Sequence, residues 1–263
     1  MTSKRFAHIE GVEETGSTND DLLEIARHDG DEQVLVAERQ TAGRGRLDRR
    51  WEAPAGVSLL CSILVRPQVS AGAVHIIPWA VALAAADAAA QVCKVDLALK
   101  WPNDLVAVGG AEGGGDAKVA GLLSELVLSG GSVDAVVVGI GVNVNWAGRF
   151  PSELAASSAS LDGLCGHEVD RVALLAALID AFDEWLTIAE QADGTRVLRD
   201  HVVARSATLG RQVRVELADR QLVGTASELL ESGALVVTGP EGDRTEVTVG
   251  DVVHLRPVDR AQP

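Results

Sequence analysis

The sequence predicts an α/β or α+β layer domain around a covered central sheet, followed by a small β-barrel. Three observations carry that prediction. Continuous apolar runs rich in β-branched residues alternate with helical stretches from Val34 to about Asn145, and a further long helical stretch follows. After about Arg205 the texture changes to short segments separated by turn residues. We therefore divide the chain into residues 1–205 and 206–263.

In order, a helix is expected from Asn19 to His28, opening at the capping residues Ser17 and Thr18. Strands are expected at Val34 to Ala37 and Val57 to Val65, and an Ala-rich helix from Pro78 to Val92. A strand ends at Lys100, where Pro102 stops it, and two more follow at Val119 to Val127 and Ala135 to Val138. Between them, Gly109 to Gly115 reads as a flexible turn. A helix from Val169 to Glu190 completes the first part. The second part has candidate strands at Val213 to Leu217, Leu222 to Glu228, Ala234 to Thr238, Thr245 to Val249 and Val252 to Leu255. Their turns fall at Ala218-Asp219, Ser232-Gly233, Gly239 to Gly242 and Gly250-Asp251. A module this small is marginally stable alone, so it is expected to dock on the first domain.

The 263 residues carry 23 Lys+Arg against 38 Asp+Glu, a formal charge of −15. That acidity argues against a bulk polyanion partner such as nucleic acid or an anionic membrane, and leaves room only for small anions. Cys61, Cys93 and Cys165 are widely spaced with no C-x-x-C pair, which fits reduced thiols in a cytoplasm and no zinc site. The N-terminus lacks the apolar core of a signal peptide. The longest apolar run, Ile76 to Ala86, is shorter than the roughly 20 residues that span a bilayer.

The segment from Gln40 to Trp51 is the most informative. Arg44, Arg46, Arg49 and Arg50 lie within seven residues, where uniform usage of basic residues would place fewer than one. Gly43 and Gly45 allow close approach of a ligand, and arginine offers a planar fork for phosphate or carboxylate oxygens. Without an anion the arginines repel one another, so the loop is expected to be mobile when empty and to order around its ligand. A solvated basic turn or a nucleic-acid patch accounts for the composition equally well.

Trp101, Asn103 and Asp104 sit at the end of a strand, where open α/β sheets place ligands, although turn chemistry also explains Pro-Asn-Asp. Lys118 opens a strand, where a lone lysine is commonly an edge gatekeeper. Gly121 inside that strand suggests close approach by a ligand or another backbone. Val138 to Asn145 lacks the third glycine of a dinucleotide fingerprint, and neither a phosphate loop, a nucleophile elbow nor a metal-binding helix is found.

Taken together, Glu14-Thr-Gly-Ser-Thr-Asn19, Ala37 to Arg46, Lys100-Trp-Pro-Asn-Asp104, Lys118-Val-Ala-Gly-Leu-Leu123 and Val138-Gly-Ile-Gly-Val-Asn143 occur in the order seen in biotin–protein ligases. The resemblance covers roughly residues 9 to 256. It implies an α+β fold with a central mixed sheet covered by helices, of the class II synthetase-like biotin/lipoate ligase kind, and a C-terminal SH3-like barrel. No helix-turn-helix domain precedes the first motif, so the chain resembles the monofunctional type without a DNA-binding module.

The resemblance implies that biotin and MgATP give biotinyl-5′-adenylate and pyrophosphate, after which a lysine of a biotin carboxyl carrier domain is acylated. Ser17, Thr18, Asn19 and Gln40 resemble the polar groups around the ureido ring, and Gly121 lies beside the vitamin. Arg44, Gly45 and Arg46 match the loop that closes over biotin and the phosphates, with Arg49 beside them and Trp51 closing it. Lys118 matches the lysine that touches the biotin carboxylate; with Arg44 it stabilises charge on the reacting oxygens. Lys100, Asn103, Asp104 and Asn143 are assigned to the nucleotide side, Asp104 also as candidate acceptor of the attacking lysine's proton. Asp48 stands where many relatives have glycine, and the run Gly109 to Asp116 lengthens one connection, which should leave strand pairing intact. Magnesium is expected to arrive with ATP. A monomer and a homodimer both stay open. The rival readings are a lipoate or octanoate ligase and a non-enzymatic interaction module.

Overall fold

The structure, a computed structural model, describes residues 5–28, 30–47, 49–111, 114–217, 220–248 and 250–254. Every apolar run predicted as a strand in the first part becomes a strand of one sheet, and the longest run, from Ile76 to Ala86, falls in the helix that packs against it. The order is β1 (Ile9–Thr15), α1 (Thr18–Arg27), β2 (Gln33–Gln40), β3 (Ser58–Val65), a 3-10 turn (Ala71–Ile76), α2 (Ile77–Cys93), β4 (Ala98–Lys100), β5 (Asp104–Ala107), β6 (Ala117–Ser129) and β7 (Ser132–Asn143). There follow α3 (Ser152–Ala155), α4 (Leu161–Cys165), α5 (Arg171–Ala189) and α6 (Gly194–Ala204). The seven strands lie in the order β1-β2-β3-β7-β6-β5-β4. β1 and β2 are parallel, joined through α1, and the other neighbours are antiparallel, so the sheet is mixed and the fold α+β.

β3 is buried at every position, and its side chains divide by parity between two layers. Leu59, Cys61, Ile63 and Val65 join the large core that includes α2 and α5, whereas Leu64 joins Leu22, Leu23 and Ala26 of α1 on the other face. With the 3-10 turn, α2 makes a 23-residue stretch long and apolar enough by composition to cross a bilayer, longer than the apolar run alone implied. Its most apolar window is 72% buried in the fold, as befits a core helix. Asp87 on α2 accepts from Trp185 Nε1 at 2.8 Å and from Arg205 at 2.6 Å, tying α2 to α5 and to the end of α6.

The two long-helix starts differ. Asp170 caps α5, accepting from the N–H groups of Val172 and Ala173 at 2.8 and 3.2 Å. Ser17 occupies the corresponding position before α1 but makes no side-chain cap bond, contrary to the sequence expectation. Thr18 is already helical, and its N–H is instead met by the side-chain oxygen of Gln40 at 2.9 Å, reaching in from β2.

The remaining strands, β8 (Gln212–Glu216), β9 (Gln221–Leu229), β10 (Leu235–Thr238), β11 (Arg244–Val247) and β12 (Asp251–His254), form an antiparallel sheet in the order β11-β10-β9-β8-β12. All five send side chains into one cluster, among them Val213, Ala226, Val237, Val247 and Val252, as an SH3-like barrel requires. The Ala218-Asp219 turn and the strand ends at Val249 and Leu255 lie outside the described residues. The module docks as its size demands. Trp101 Nε1 donates to the Gly233 carbonyl at 3.1 Å, Arg211 pairs with Asp116 at 2.7 Å, and the Leu99 backbone exchanges hydrogen bonds with Arg205 and Ala207.

α1 has ten residues and so is about 15 Å long, which covers only part of its face of the sheet. Its N-terminal end faces the uncovered part.

Candidate active site

Over that uncovered part lies a cavity of about 300 Å3. Its walls come from the start of α1, the Gln40 to Trp51 loop, the β5 and β6 starts, and the barrel edge at Glu216, Val252 and Val253. The floor is bare backbone. Gly121 and Gly141 are register partners on β6 and β7, and Gly139 continues the row. A Cβ on Gly141 would stand 2.4 Å from Trp51 Cε2, and one on Gly139 2.3 Å from Asn19 Oδ1, so side chains occupy the space that any other residue would fill.

One end of the cavity is polar and tightly wired. Thr18 Oγ1 lies 2.7 Å from Ser62 Oγ, which donates to Asn19 Oδ1 at 2.6 Å. Asn19 Nδ2 in turn donates to Glu125 at 2.8 Å and to the Leu123 carbonyl at 3.2 Å. Ser17, Thr18, Asn19 and Ser62 are all buried. The chain is satisfied because each group supplies the donor its neighbour lacks.

The basic loop spans the opening. The backbones of Arg44 and Arg50 form an antiparallel bridge between the two sides of the loop, Gly45 N–H donates to the Arg49 carbonyl at 2.7 Å, and Trp51 N–H donates to the Gly43 carbonyl at 3.0 Å. Arg44 donates to Asp20 at 2.5 Å and to Glu125 at 2.6 Å. Arg46 donates to Asn103 Oδ1 at 3.1 Å and reaches the Gly250 carbonyl at 3.5 Å. Mutual repulsion of the arginines is thus incomplete as a description of the empty loop, because α1 and β6 supply acids that the local sequence does not show. Asp48 lies outside the described residues.

Lys118 is not at a sheet edge, since β6 lies between β5 and β7. Its Nζ sits 2.6 Å from Asp104 Oδ1 and 5.5 Å from the centroid of the Trp51 ring. Trp51 Nε1 is buried and has no hydrogen-bond partner among the described residues, leaving a donor inside the cavity. Asn103 donates to the Leu122 carbonyl at 2.7 Å, which fixes the turn before β5. The connection from Gly109 to Asp116 leaves the pairing of β5 with β6 intact. Burial pushes the Cys61 thiol beside the cavity up to about 12, so it stays neutral.

The cavity brings together Ser17, Thr18, Asn19, Gln40, Arg44, Gly45, Arg46, Arg49, Trp51, Asn103, Asp104, Lys118 and Gly121. Two sequence candidates stand apart from it. Lys100 lines a smaller apolar cavity between α2 and the barrel. Asn143 is nearly buried, and its amide is directed to the carbonyls of Lys118 and Ala159 at 3.4 and 3.3 Å, bracing the strand that carries Lys118. Ser62, Glu125, Asp20, Gly139 and Gly141 were not singled out as site residues. Two signals were present: Ser62 interrupts an apolar run, and Gly139 and Gly141 recur with period two, clearing one face of β7. Asp20 and Glu125 carry no such mark.

The chain matches the biotin/lipoate A/B protein ligase family over residues 12–143 and the biotin protein ligase C-terminal domain over residues 208–255. It is 38% identical to a biotin–[acetyl-CoA-carboxylase] ligase of Mycobacterium tuberculosis over 95% of this chain and 90% of that one. Its identity to the enzyme of the same name from Paracoccus denitrificans is 36%, covering 87% and 93% of the two chains. Among solved structures it resembles the biotin protein ligase of Aquifex aeolicus in complex with biotin and ATP. The TM-score is 0.78 at 27% identity, over 96% of this chain and all of that one.

Proposed function

The chain belongs to the biotin/lipoate A/B protein ligase family, and from that premise we infer that it is an ATP-dependent biotin–protein ligase. It activates biotin as biotinyl-5′-AMP and transfers the acyl group to a lysine of a biotin carboxyl carrier domain. The observation that carries the reading is the cavity itself: a floor of glycine backbone, a hydrogen-bonding end of hydroxyl and amide groups, and cations opposite.

On this reading, Ser17, Thr18, Asn19 and Gln40 meet the ureido group, and the ring lies on Gly121, Gly139 and Gly141 beneath Trp51, whose indole lifts to admit it. Lys118 lies where the carboxylate of such a ligand ends. The negative charge that builds on the carboxylate and phosphate oxygens during adenylation is stabilised by Lys118 and Arg46, which Asp104 and Asn103 hold at the cavity wall. Arg49, Asn103 and Asp104 line the nucleotide side. Magnesium would arrive with ATP and shield the charge of its phosphates.

A free carboxylate resists amine attack, whereas the adenylate carries AMP as a leaving group. The attacking lysine has an ordinary pKa of about 10.4 and must lose a proton before or as it attacks. Asp104, held beside Lys118, is the candidate acceptor and also orients that lysine. Residues 1–205 carry the chemistry and residues 206–263 close one side of it. Two observations support that division: α6 ends at Ala204, and the barrel edge borders the cavity.

Biotin-dependent exchange of pyrophosphate into ATP tests the first step, and labelling of a carrier domain tests the second. Exchange with biotin and none with lipoate is expected. Exchange with lipoate alone assigns the chain to the lipoate branch of the fold, and no exchange with either removes the enzymatic reading.

A further inference from the structure

The Arg44 guanidinium, expected from the sequence to face a bound anion, faces two carboxylates of the protein. Asp20 comes from the first turn of α1 and Glu125 from the middle of β6, and both meet the same Arg44 nitrogen, at 2.5 and 2.6 Å. Because they share one nitrogen, the two carboxylate oxygens lie within about 5 Å of each other. Two like charges at that spacing repel unless a cation stands between them, so the arrangement favours the state in which the loop is down and Arg44 is inserted. Glu125, with its side chain 25% exposed against 54% for Asp20, is the less screened partner.

Glu125 also accepts from Asn19 Nδ2 through the same oxygen that holds Arg44. Asn19 is held by Ser62, and Ser62 contacts Thr18. One carboxylate therefore joins the polar end of the cavity to the loop that covers it.

We propose that Asp20 and Glu125 form a clasp for Arg44 that holds the Gln40 to Trp51 loop over the cavity, and that Glu125 is a positioning residue coupling loop closure to occupancy of the polar end. The clasp stands on the geometry alone; its consequence for biotin rests on the biotin–protein ligase reading. Arg44 acts as the latch of the loop, and the phosphate-facing work falls to Arg46 and Lys118. A ligand whose bound state needs the loop closed loses apparent affinity in proportion to the closed fraction, so weakening the clasp raises KM while the chemical step on bound ligand is kept.

The test uses the full chain and two readouts. Without ligand, trypsin cleavage after Arg49 and Arg50 is followed in the wild type, Glu125→Gln, Arg44→Ala and the double variant. With ligand, biotin KM and kcat are measured by pyrophosphate exchange. Glu125→Gln is expected to speed cleavage several-fold, with no further increase in the Arg44→Ala background. It is also expected to raise biotin KM about three- to tenfold, the range for losing one charged partner at a partly exposed site, with kcat within about twofold. Asp20→Asn, at a half-exposed position that leaves folding intact, is expected to move both readouts the same way by less. Glu24→Gln, an exposed acid on the same helix, serves as control.

Equal cleavage of wild type and Glu125→Gln overturns the clasp. Faster cleavage with unchanged biotin KM overturns its coupling to the cavity. Absence of biotin-dependent exchange in the wild type would instead overturn the functional reading, and the unliganded cleavage series would still decide the clasp.

Discussion

Replacing Gly141 by alanine separates the fold from the site, because the two respond with opposite sign. Gly141 lies inside β7 with an unremarkable backbone, and alanine in a strand interior is favoured over glycine by about 0.5–1 kcal/mol through reduced freedom of the unfolded chain. The new methyl, however, points into the cavity. It would stand 2.4 Å from Trp51 Cε2 and 2.7 Å from Nε1, against ordinary contacts of about 3.5–4 Å. The indole must retreat by about 1 Å or more, and a bound ring would meet the same methyl. Overfilling a packed site costs about 1–3 kcal/mol, which is roughly a five- to 150-fold loss of affinity. In the empty protein the strain is relieved by lifting the indole, which belongs to a loop. The expected outcome is a Tm unchanged or slightly raised, with biotin KM in pyrophosphate exchange raised at least fivefold. A biotin KM within twofold of wild type would refute the assignment of this floor to the ligand. A large fall in Tm would refute the claim that only the cavity feels the methyl.

Lys118→Ala is expected to cut the rate of adenylate formation by about a hundred- to a thousand-fold, the scale for losing one preorganised donor of about 2.7–4 kcal/mol; near-normal exchange would remove its catalytic role. Asp170→Ala removes the α5 cap and should destabilise by about 1 kcal/mol, read as a lower denaturant midpoint with unchanged slope. Burial raises the Glu190 carboxyl pKa, but hydrogen bonds from Arg5 and the Gln68 N–H outweigh it and hold it below the ordinary 4.5. A carboxyl depressed in the folded state contributes stability that is fully present above the unfolded value and is lost as pH falls through the folded one. Glu190→Gln should therefore be less stable than wild type at pH 7 and converge with it below pH 4.5; a constant difference across that range would rule the linkage out.

The legible parts of the molecule were those with a local signature. β3, β6, β7, α2 and α5 were found because their apolar residues follow one period over long runs. β1 was missed because it is a sheet-edge strand carrying Glu10, Glu13 and Glu14, with little apolar alternation to read, and α6 because it buries only Gly194, Leu198 and Val202. The site followed the same rule. The dense arginines and the Lys-Trp-Pro-Asn-Asp segment announce themselves. Asn143 was placed near the nucleotide by its motif, yet its amide is directed to backbone carbonyls that flank the Lys118 strand.

By itself, the sequence determined the periodicities that mark most of the elements, the ordered motifs that carry the family resemblance and the loop on which cations concentrate, because each is read from neighbouring residues. Only the tertiary structure decided what those cations face. Arg44 meets Glu125 across 81 positions, and Arg46 meets Asn103 across 57. Contacts so distant along the chain leave no periodic trace, since the partner of a charge is fixed by which strands and helices pack side by side.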